Sequence, residues 1–381
     1  METSNLHSTL KSLVNELEIE RERSRKLEAE LEEHKINLAR LTSSEATAPF
    51  CYASIVKKPH LLKFYTGLDE AAIEFIWDVM GDSVQSACRH TKKDADNFSG
   101  HGRGGRKRKL CPRDELLLTL CKLRHNFPED DLAQRFNIHQ TTVSRIFSSW
   151  IETMDACFKE VVLWPERDDV RRSLPEVFKE QYATTRALID CSEIFIEKPQ
   201  NPDTQSQTWS SYKHHNTLKF LLAVTPNGVP SFVSDCYGGR TSDKELTNLS
   251  GILSSNHFEH GDSVMVDKGF DIDDLAEQQG VKLAQPPFLH GKEQLDEEEV
   301  VLTRRIAFLH IHVERAIERV KNYAILRFLP GSLCSQASRL VRICTFLTSL
   351  LPPLVPPAGS VGGAEEAPDS DGLGMISPDT I

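Results

Sequence analysis

The chain has 381 residues, 39% of them hydrophobic, which is enough for more than one folded unit with a core. Its formal net charge is -11, from 56 acidic residues against 45 Lys and Arg. No apolar run approaches the ~20 residues that cross a bilayer, and the first thirty residues are charged, which excludes a membrane partner and predicts a soluble, intracellular protein. Nine cysteines without a CxxC pair indicate free thiols and exclude a zinc-binding module.

Residues 1–44 carry a heptad pattern that predicts a coiled coil. Leucines recur at both core positions from Leu6 to Leu41, with polar interruptions near the middle. Oppositely charged residues would face each other across a parallel dimer: Glu16 with Arg21, Arg23 with Glu28, and Glu30 with Lys35. The pattern therefore predicts a parallel homodimer, with a single charged helix as the alternative.

Residues 45–100 form a predicted helical connector, in which Asp69 can cap a helix that begins at Glu70. A basic arm follows and contains Arg103, Arg106, Lys107, Arg108 and Lys109. Such an arm can contact DNA phosphates, act as a nuclear-localisation signal, or do both. We therefore expect the protein in the nucleus, although a solvated linker is the alternative reading.

The basic arm and the segment after it, residues 101–157, are predicted to be a helix-turn-helix DNA-binding domain. The apolar positions fit two packed helices joined by a turn: Leu132, Ala133 and Phe136, then Asn137 and Ile138, then Val143, Ile146 and Phe147. The side chains expected to face the major groove of double-stranded DNA are Gln140, Thr141, Ser144 and Arg145. Three helices packed without a DNA-binding role are the alternative.

Residues 181–330 change to a mixture of strands and helices, which predicts an α/β domain. Strands are expected at 185–190, 193–197, 217–225, 230–236 and 263–267, and helices near 243–254, 271–279 and 296–324. Asn227-Gly228 is a typical hairpin turn between the third and fourth strands. Residues 352–381 are rich in Gly, Pro and acidic residues, and we expect a disordered tail.

Three acidic residues in the α/β domain are candidates for metal binding. Asp190 and Asp267 each end an apolar, strand-like run, whereas Glu314 lies on the polar flank of an amphipathic helix. Converging carboxylates repel one another unless a cation neutralises them, and Mg²⁺ prefers oxygen ligands. In a chain this acidic, such combinations also arise by chance. Glu318, one helical turn beyond Glu314, is a second candidate for the third ligand.

Four motifs occur in a characteristic order: Leu188–Ile194, Tyr237–Lys244, Val266–Phe270 and His312–Lys321. In these motifs the chain resembles the DDE superfamily of transposases, specifically the Harbinger-like branch related to bacterial insertion-sequence transposases. The resemblance covers roughly residues 110 to 330. It implies a ribonuclease-H-like fold, in which a mixed five-stranded sheet is flanked by helices.

The resemblance also implies roles for individual residues. Asp190, Asp267 and Glu314 correspond to the catalytic triad that binds Mg²⁺ or Mn²⁺. Lys321 matches a lysine that relatives place seven residues after the glutamate and is a candidate DNA contact, whereas His310 stands where relatives have an arginine. Asp243 is either an auxiliary acid near the metal site or part of a turn that Thr241 or Ser242 caps; the local sequence favours the turn.

These observations predict a metal-dependent DNA endonuclease or transposase that cleaves phosphodiester bonds at transposon ends, with joining to target DNA as an open second step. The alternative is a domesticated, transposase-derived DNA-binding protein without cleavage activity. The resemblance to Harbinger-like elements also leaves room for an accessory DNA-binding protein as a partner.

Overall fold

The protein is described by a computed structural model that covers residues 50–88, 109–161, 164–254, 256–288, 294 and 296–355, with short helical pieces at 22–23, 26–27 and 30–31. In these pieces Leu27 and Leu31, two of the heptad core positions, are exposed on the single chain. The rest of the heptad segment, the arm residues Arg103, Arg106, Lys107 and Arg108, and the tail beyond 355 lie outside the described residues. The coiled-coil dimer therefore stays a prediction.

The chain divides into two compact units, residues 1–57 and 58–381. The first contains the short helix α1, Tyr52–Ile55. The second begins with six helices: α2 Pro59–Thr66, α3 Glu70–Met80, α4 Ser83–Ala87, α5 Pro112–His125, α6 Glu129–Arg135 and α7 Gln140–Lys159. The predicted cap is confirmed, since Asp69 Oδ1 accepts from the Ala72 amide at 2.9 Å. Helix α4 packs on α7, so the predicted connector is not separate from the helices after it.

Helices α6 and α7 form the predicted helix-turn-helix. The six apolar side chains assigned to its two helices are all buried: Leu132, Ala133, Phe136, Val143, Ile146 and Phe147. Asn137 in the turn has a φ of 50°, a left-handed conformation that asparagine tolerates. Helix α7 then continues through buried Trp150 and Phe158, where the Phe158 ring stacks on Phe346 with centroids 3.9 Å apart.

The α/β part is built on a mixed sheet with β1, Thr185–Ile196, in its middle. The other strands are β2 Trp209–Ser210, β3 His215–Val224, β4 Pro230–Val233, β5 Tyr237–Gly238, β6 Ser263–Met265, β7 Lys282–Ala284 and β8 Phe328–Leu329. The main order is β2-β3-β1-β6-β7, and β4 and β5 pair with β3. Strands β1 and β3 are antiparallel, whereas β1, β6 and β7 are parallel.

Three features of the sheet correct the predicted strands. Segments 185–190 and 193–197 are one strand, because β3 continues to pair with β1 through Cys191 and Ser192. Segment 230–236 contains β4 only as far as Val233, and β5 follows separately. The sequence pattern did not predict the short strands β2, β7 and β8. The hairpin turn at Asn227-Gly228 is confirmed, with Gly228 at a φ of 81°.

Helices flank the sheet. They are α8 Arg167–Arg172, α9 Glu176–Lys179, α10 Pro202–Thr208, α11 Asp243–Ser250, α12 Asp273–Gln278, α13 Glu297–Lys321, α14 Gly331–Cys334 and α15 Ala337–Ser349, with a 3₁₀ turn at Ala324–Leu326. Helix α13 begins with a capping box between Asp296 and Glu299, which fixes its start. Helix α15 packs on α7 and β4, so the packed domain extends beyond the predicted boundary at 330.

The start of the predicted tail is also packed, which corrects the boundary at 352. The Pro352 carbonyl accepts from Arg319 at 2.7 Å, and the Val355 amide donates to the Asn227 carbonyl at 3.1 Å. Leu354 lies so close to Gly228 that a Cβ there would clash with it. Long-range contacts thus hold residues 352–355 against the hairpin turn, which a composition argument cannot anticipate. In the described part of the chain, no helix combines the length and apolarity needed to cross a membrane.

Candidate active site

Asp190 lies in the middle of β1, opposite Leu222 of β3, and not at a strand end as predicted. On its other side β1 pairs with β6 only as far as Leu188 and Met265, so Asp190 lies where the parallel pairing stops. If the same register is continued by two residues, Asp267 falls opposite Asp190, with both side chains on one face of the sheet. This extrapolation would bring two of the predicted carboxylates to adjacent positions, although the pairing itself ends at Leu188 and Met265.

Asp267 follows directly after β6. The Val266 amide still donates to the Ala284 carbonyl of β7 at 3.0 Å, and the chain then turns so that the Phe270 amide reaches the Asp267 carbonyl at 3.1 Å. Phe270 is buried and anchors this turn. The Asp267 side chain is exposed and accepts from the Lys268 amide at 2.7 Å, which leaves carboxylate lone pairs open to solvent.

Asp190 carries the most perturbed carboxyl at this edge of the sheet. Its pKa is raised from 3.8 to about 6, mainly because the group is buried. The negative charges of Asp243 and Glu314 also raise this pKa, whereas His310 and the Cys191 amide act in the opposite direction. The Cys191 amide donates to Asp190 Oδ1 at 2.7 Å. Asp190 is therefore a half-buried acid with two further acids close enough to raise its pKa.

Glu314 reaches the site from helix α13. Four residues earlier on the helix, the buried His310 donates through Nε2 to the Ile189 carbonyl of β1 at 3.2 Å. This bond fixes the helix against the strand next to Asp190, and His310 Nδ1 lies 3.9 Å from Glu314 Oε1. The Glu314 side chain is 63% exposed. Its effect on the pKa of Asp190 favours Glu314 over Glu318 as the third acid of the site.

Asp243 contacts the site and also belongs to a helix start. Ser242 is the N-cap of α11, as one predicted reading required, and accepts from the Glu245 amide at 3.1 Å. Asp243, the first residue of α11, forms an ion pair with Lys219 Nζ at 3.2 Å, and Lys219 also lies 3.7 Å from Glu193. The cap is therefore confirmed, and the Asp243 carboxylate is nevertheless held beside Asp190.

Glu193 and Lys219 are site residues that the sequence patterns did not single out. Glu193 is 8% exposed in its side chain and accepts from Thr217 Oγ1 at 2.8 Å and from Ser210 Oγ at 3.1 Å. Both residues lie on β1 and β3, where they face each other in the strand register. In the sequence, Glu193 is only an acid three residues after Asp190, and Lys219 is only a lysine between apolar neighbours of β3. The contact between them depends on the pairing of β1 with β3.

Lys321, at the end of α13, faces the same group of charges. Burial lowers the pKa of its ammonium group and nearby Lys213 lowers it further, whereas Glu193 and Asp190 raise it. A half-buried cation that is close to both acids and another lysine is suited to contact a phosphate that approaches the carboxylates. The role of Lys321 as a DNA contact stays a prediction.

The fit of a metal ion can be judged from the donors. Among the described residues, no group of three or more His, Cys, Asp or Glu side chains is arranged closely enough to hold a metal ion. The available donors are nevertheless carboxylate oxygens, which suit Mg²⁺ or Mn²⁺. Asp190 also forms no ion pair among the described residues, so a cation would stabilise its charged form. The chemistry of the donors fits a divalent metal once the exposed side chains of Asp267 and Glu314 turn inward.

The helix-turn-helix presents some, but not all, of its predicted DNA contacts freely. Arg145 is exposed on α7, Ser144 is half-buried, and Thr141 is exposed with its hydroxyl hydrogen-bonded to His139 Nδ1 at 3.0 Å. Gln140 instead donates through Nε2 to Glu129 of α6, so its amide holds the two helices together. Lys109, the described end of the basic arm, is exposed and donates to the Asn137 carbonyl at 3.4 Å, which places it at the turn.

Comparisons with known protein families agree with this architecture. Residues 108–160 match the family described as helix-turn-helix of DDE superfamily endonuclease, and residues 189–349 match the family described as DDE superfamily endonuclease. No curated protein matches the chain. The second match begins next to Asp190 and includes Asp243, Asp267, Glu314 and Lys321. The resemblance inferred from the four sequence motifs is confirmed.

Proposed function

We propose that the chain, which matches the DDE superfamily endonuclease family over residues 189–349 and its helix-turn-helix family over residues 108–160, is a metal-dependent DNA endonuclease of the transposase type. It would cleave phosphodiester bonds at transposon ends and join the freed ends to target DNA. The observation that carries this proposal is the half-buried carboxyl of Asp190, which forms no ion pair among the described residues and whose pKa is raised to about 6 by burial and then by the neighbouring Asp243 and Glu314.

In this proposal Asp190, Asp267 and Glu314 hold the metal. The strand order, with β3 antiparallel to β1 and with β6 and β7 parallel to it, supports a ribonuclease-H-like arrangement of these three residues. Two divalent ions, when bound, would stabilise the attacking and leaving oxygens of an in-line phosphoryl displacement. Their charge would also offset the repulsion between the three carboxylates.

Residues around the triad have supporting roles. His310 fixes α13 against β1 through the Ile189 carbonyl and so sets the position of Glu314. Lys219 neutralises Asp243 and Glu193, which keeps these two acids from competing for the metal. Lys321 would bind the phosphate next to the cleaved bond. These assignments give each charged group near Asp190 a separate task.

Duplex DNA would bind through the helix-turn-helix. Exposed Thr141 and Arg145 of α7, with Ser144, would contact bases and phosphates, and the basic arm would add phosphate contacts. We further propose that the protein acts in the nucleus and forms a homodimer through a parallel coiled coil, in which Leu27 and Leu31 would be covered by the second copy. An accessory DNA-binding protein would extend this surface.

The test is cleavage and strand transfer on DNA that carries candidate inverted repeats, with Mg²⁺ or Mn²⁺. The native chain is compared with Asp190→Asn, Asp267→Asn and Glu314→Gln, which keep shape and remove charge. Asp168→Asn is the matched control, because Asp168 is an exposed aspartate on α8, a helix that contributes no residue to the triad.

The proposal requires that all three triad variants lose cleavage while duplex binding is retained, and that the control cleaves like the native chain. A native chain that binds DNA but cleaves with neither metal would contradict it. That result would support the alternative, a domesticated DNA-binding protein.

A further inference from the structure

The segment that connects α10 to β3 exposes two aromatic side chains. Trp209 is 43% exposed and Tyr212 is 79% exposed, although both lie only a few residues from buried Asn216 and Thr217 of β3. Exposed aromatic groups with an uncovered face are typical of binding surfaces, because water solvates them poorly. Packing of the core does not account for the exposed faces of Trp209 and Tyr212.

The surroundings of these rings are basic, in contrast to the rest of the chain. Residues 204–234 contain no Asp or Glu, although the whole chain has 56. Lys213 Nζ lies 4.5 Å from the centroid of the Tyr212 ring, and His214 and His215 are exposed next to it. An aromatic segment that carries cations and no carboxylates of its own is complementary to a polyanion that also carries flat, apolar groups.

Arg240 is held beside Trp209 by a close backbone approach. A Cβ at Gly238 would collide with the Gln207 carbonyl of α10, so only glycine lets this turn pack on the helix. The Arg240 amide donates to the same carbonyl at 3.2 Å, and Arg240 Nη1 donates to Ser206 Oγ at 3.3 Å. A cavity of about 410 Å³ results, lined by Pro202, Gln205, Ser206, Trp209, Ser211 and Arg240.

The segment is attached to β1, the strand that carries Asp190. Ser210 Oγ donates to Glu193 Oε1 at 3.1 Å and accepts from the Lys213 amide at 3.1 Å, so the segment is fixed to β1 near Asp190. Lys213 is also close enough to lower the pKa of Lys321, after the larger effect of burial. A strand bound at the candidate active site would therefore reach the two aromatic rings.

We propose that Trp209, Tyr212, Lys213 and Arg240 form a binding site for an unpaired segment of DNA. Bases would stack on the two rings, and phosphates would contact Lys213 and Arg240. A duplex fits poorly, because its base faces are already stacked and unpairing them has a cost. The inference rests on the proposed function for its biological setting, since the unpaired segment would adjoin the cleaved bond, but the binding itself needs neither metal nor cleavage.

The experiment measures binding of the full chain to a fluorescent oligothymidine strand in EDTA, by fluorescence anisotropy, with a duplex and an RNA strand of equal length in parallel. We expect Trp209→Ala and Tyr212→Ala each to weaken single-strand binding about five- to tenfold. Trp209→Phe should restore most of the affinity, because phenylalanine keeps a stacking face. Phe75→Ala is the matched control, since Phe75 is an aromatic residue of similar exposure, 45%, on α3.

Duplex binding should be unchanged in all of these variants, because it depends on the helix-turn-helix. Single-strand affinity that is equal in the native chain, Trp209→Ala and Tyr212→Ala would overturn the inference, and so would tighter binding of RNA than of DNA. A chain that cleaves no duplex with either metal but loses single-strand affinity in Trp209→Ala would refute the proposed function and support the binding site.

Discussion

Two aspartates, the buried Asp155 and the half-buried Asp190, lie in different regions of the molecule and have different surroundings. Asp155, on the part of α7 that packs against α15, is 3% exposed and is met by Arg342 at 2.6 Å, Lys159 at 3.1 Å and Arg339 at 3.8 Å. Asp190, on β1, forms no ion pair among the described residues and is instead close to Asp243 and Glu314. Cations pair directly with Asp155, whereas Asp190 has no such pair and is influenced by two acids as well as by His310 and Lys321.

The difference separates a structural role from a chemical one. The negative charge of a buried carboxylate is neutralised when several cations pair with it. Through such pairs, Asp155 connects the helix-turn-helix to α15. A buried carboxylate next to other acids destabilises the fold when it is charged, and such an arrangement is typical of sites that bind a cation or transfer a proton. Burial alone therefore does not distinguish the two aspartates, whereas the direct ion pairs of Asp155 do, and the catalytic role of Asp190 stays a proposal.

The largest expected effect is on activity. Asp190→Asn should reduce metal-dependent cleavage at least about a hundredfold, because even residues that only orient a metal ligand contribute up to about that factor. The folded state should be as stable as the native one or more so, because a poorly compensated buried charge has been removed. Cleavage of an end-labelled duplex and urea unfolding measure the two quantities. An Asp190→Asn variant that cleaves DNA like the native chain would contradict the metal-binding role proposed for Asp190.

The largest expected effect on stability lies in the other region. Asp155→Ala leaves Arg342 half-buried, with only its weaker pair to Asp235 at 3.3 Å, and should lower the free energy of unfolding by about 4 kcal/mol. The exposed Asp168 supplies the control, since Asp168→Ala should stay within about 0.5 kcal/mol of the native chain. Urea denaturation at neutral pH measures both. An equal decrease in the free energy of unfolding for Asp155→Ala and Asp168→Ala would show that Asp155 has no special structural role.

The pH dependence of stability should distinguish the two regions in metal-free solution. Because the pKa of Asp190 is raised in the folded state, from 3.8 to about 6, the folded protein binds this proton more tightly than the unfolded chain. The contribution of Asp190 to stability is therefore full below about pH 4 and is lost as the pH rises through about 6, with a total on the order of 3 kcal/mol. Other groups cancel when native protein and Asp190→Asn are compared in EDTA. A stability difference that is constant between pH 4 and 7 would refute the assignment.

The smallest effect is expected on the helix-turn-helix surface, where one predicted contact is free and another is engaged. Arg145→Ala should weaken duplex binding about fivefold and reduce the salt dependence by about one phosphate contact. Gln140→Ala should weaken binding less, because the Gln140 amide is bound to Glu129 and would have to exchange this partner for a base. Duplex titrations at several salt concentrations test both. A larger loss of duplex affinity for Gln140→Ala than for Arg145→Ala would contradict this prediction.

Much of the local architecture could be predicted from the sequence. The helix-turn-helix core, the Asp69 and Ser242 caps and the turn at Asn227-Gly228 depend on apolar spacing and on side chains that bond to their own backbone. Such signals act over a few residues, so they can be read without the fold. The same applies to the four motifs, whose order identified the family before any contact was known.

Other features depended on residues far apart in the chain. Strand β1 runs through Asp190 because β3 supplies its hydrogen bonds, and Glu193 is buried because Lys219 and Thr217 of the same partner strand satisfy it. The roles of Asp190, Asp267 and Glu314 as metal ligands stay a prediction, and the two aspartates would lie side by side only if the parallel register, which ends at Leu188 and Met265, continued for two more residues.

The sequence by itself determined which residue types were available and which short segments would form helices and turns. Only the tertiary structure decided which charges meet. Asp155 and Asp190 illustrate this, because neither the Arg342 that neutralises one nor the Glu314 that perturbs the other is near it in sequence. Electrostatic interaction depends on distance and burial, and both are properties of the folded chain.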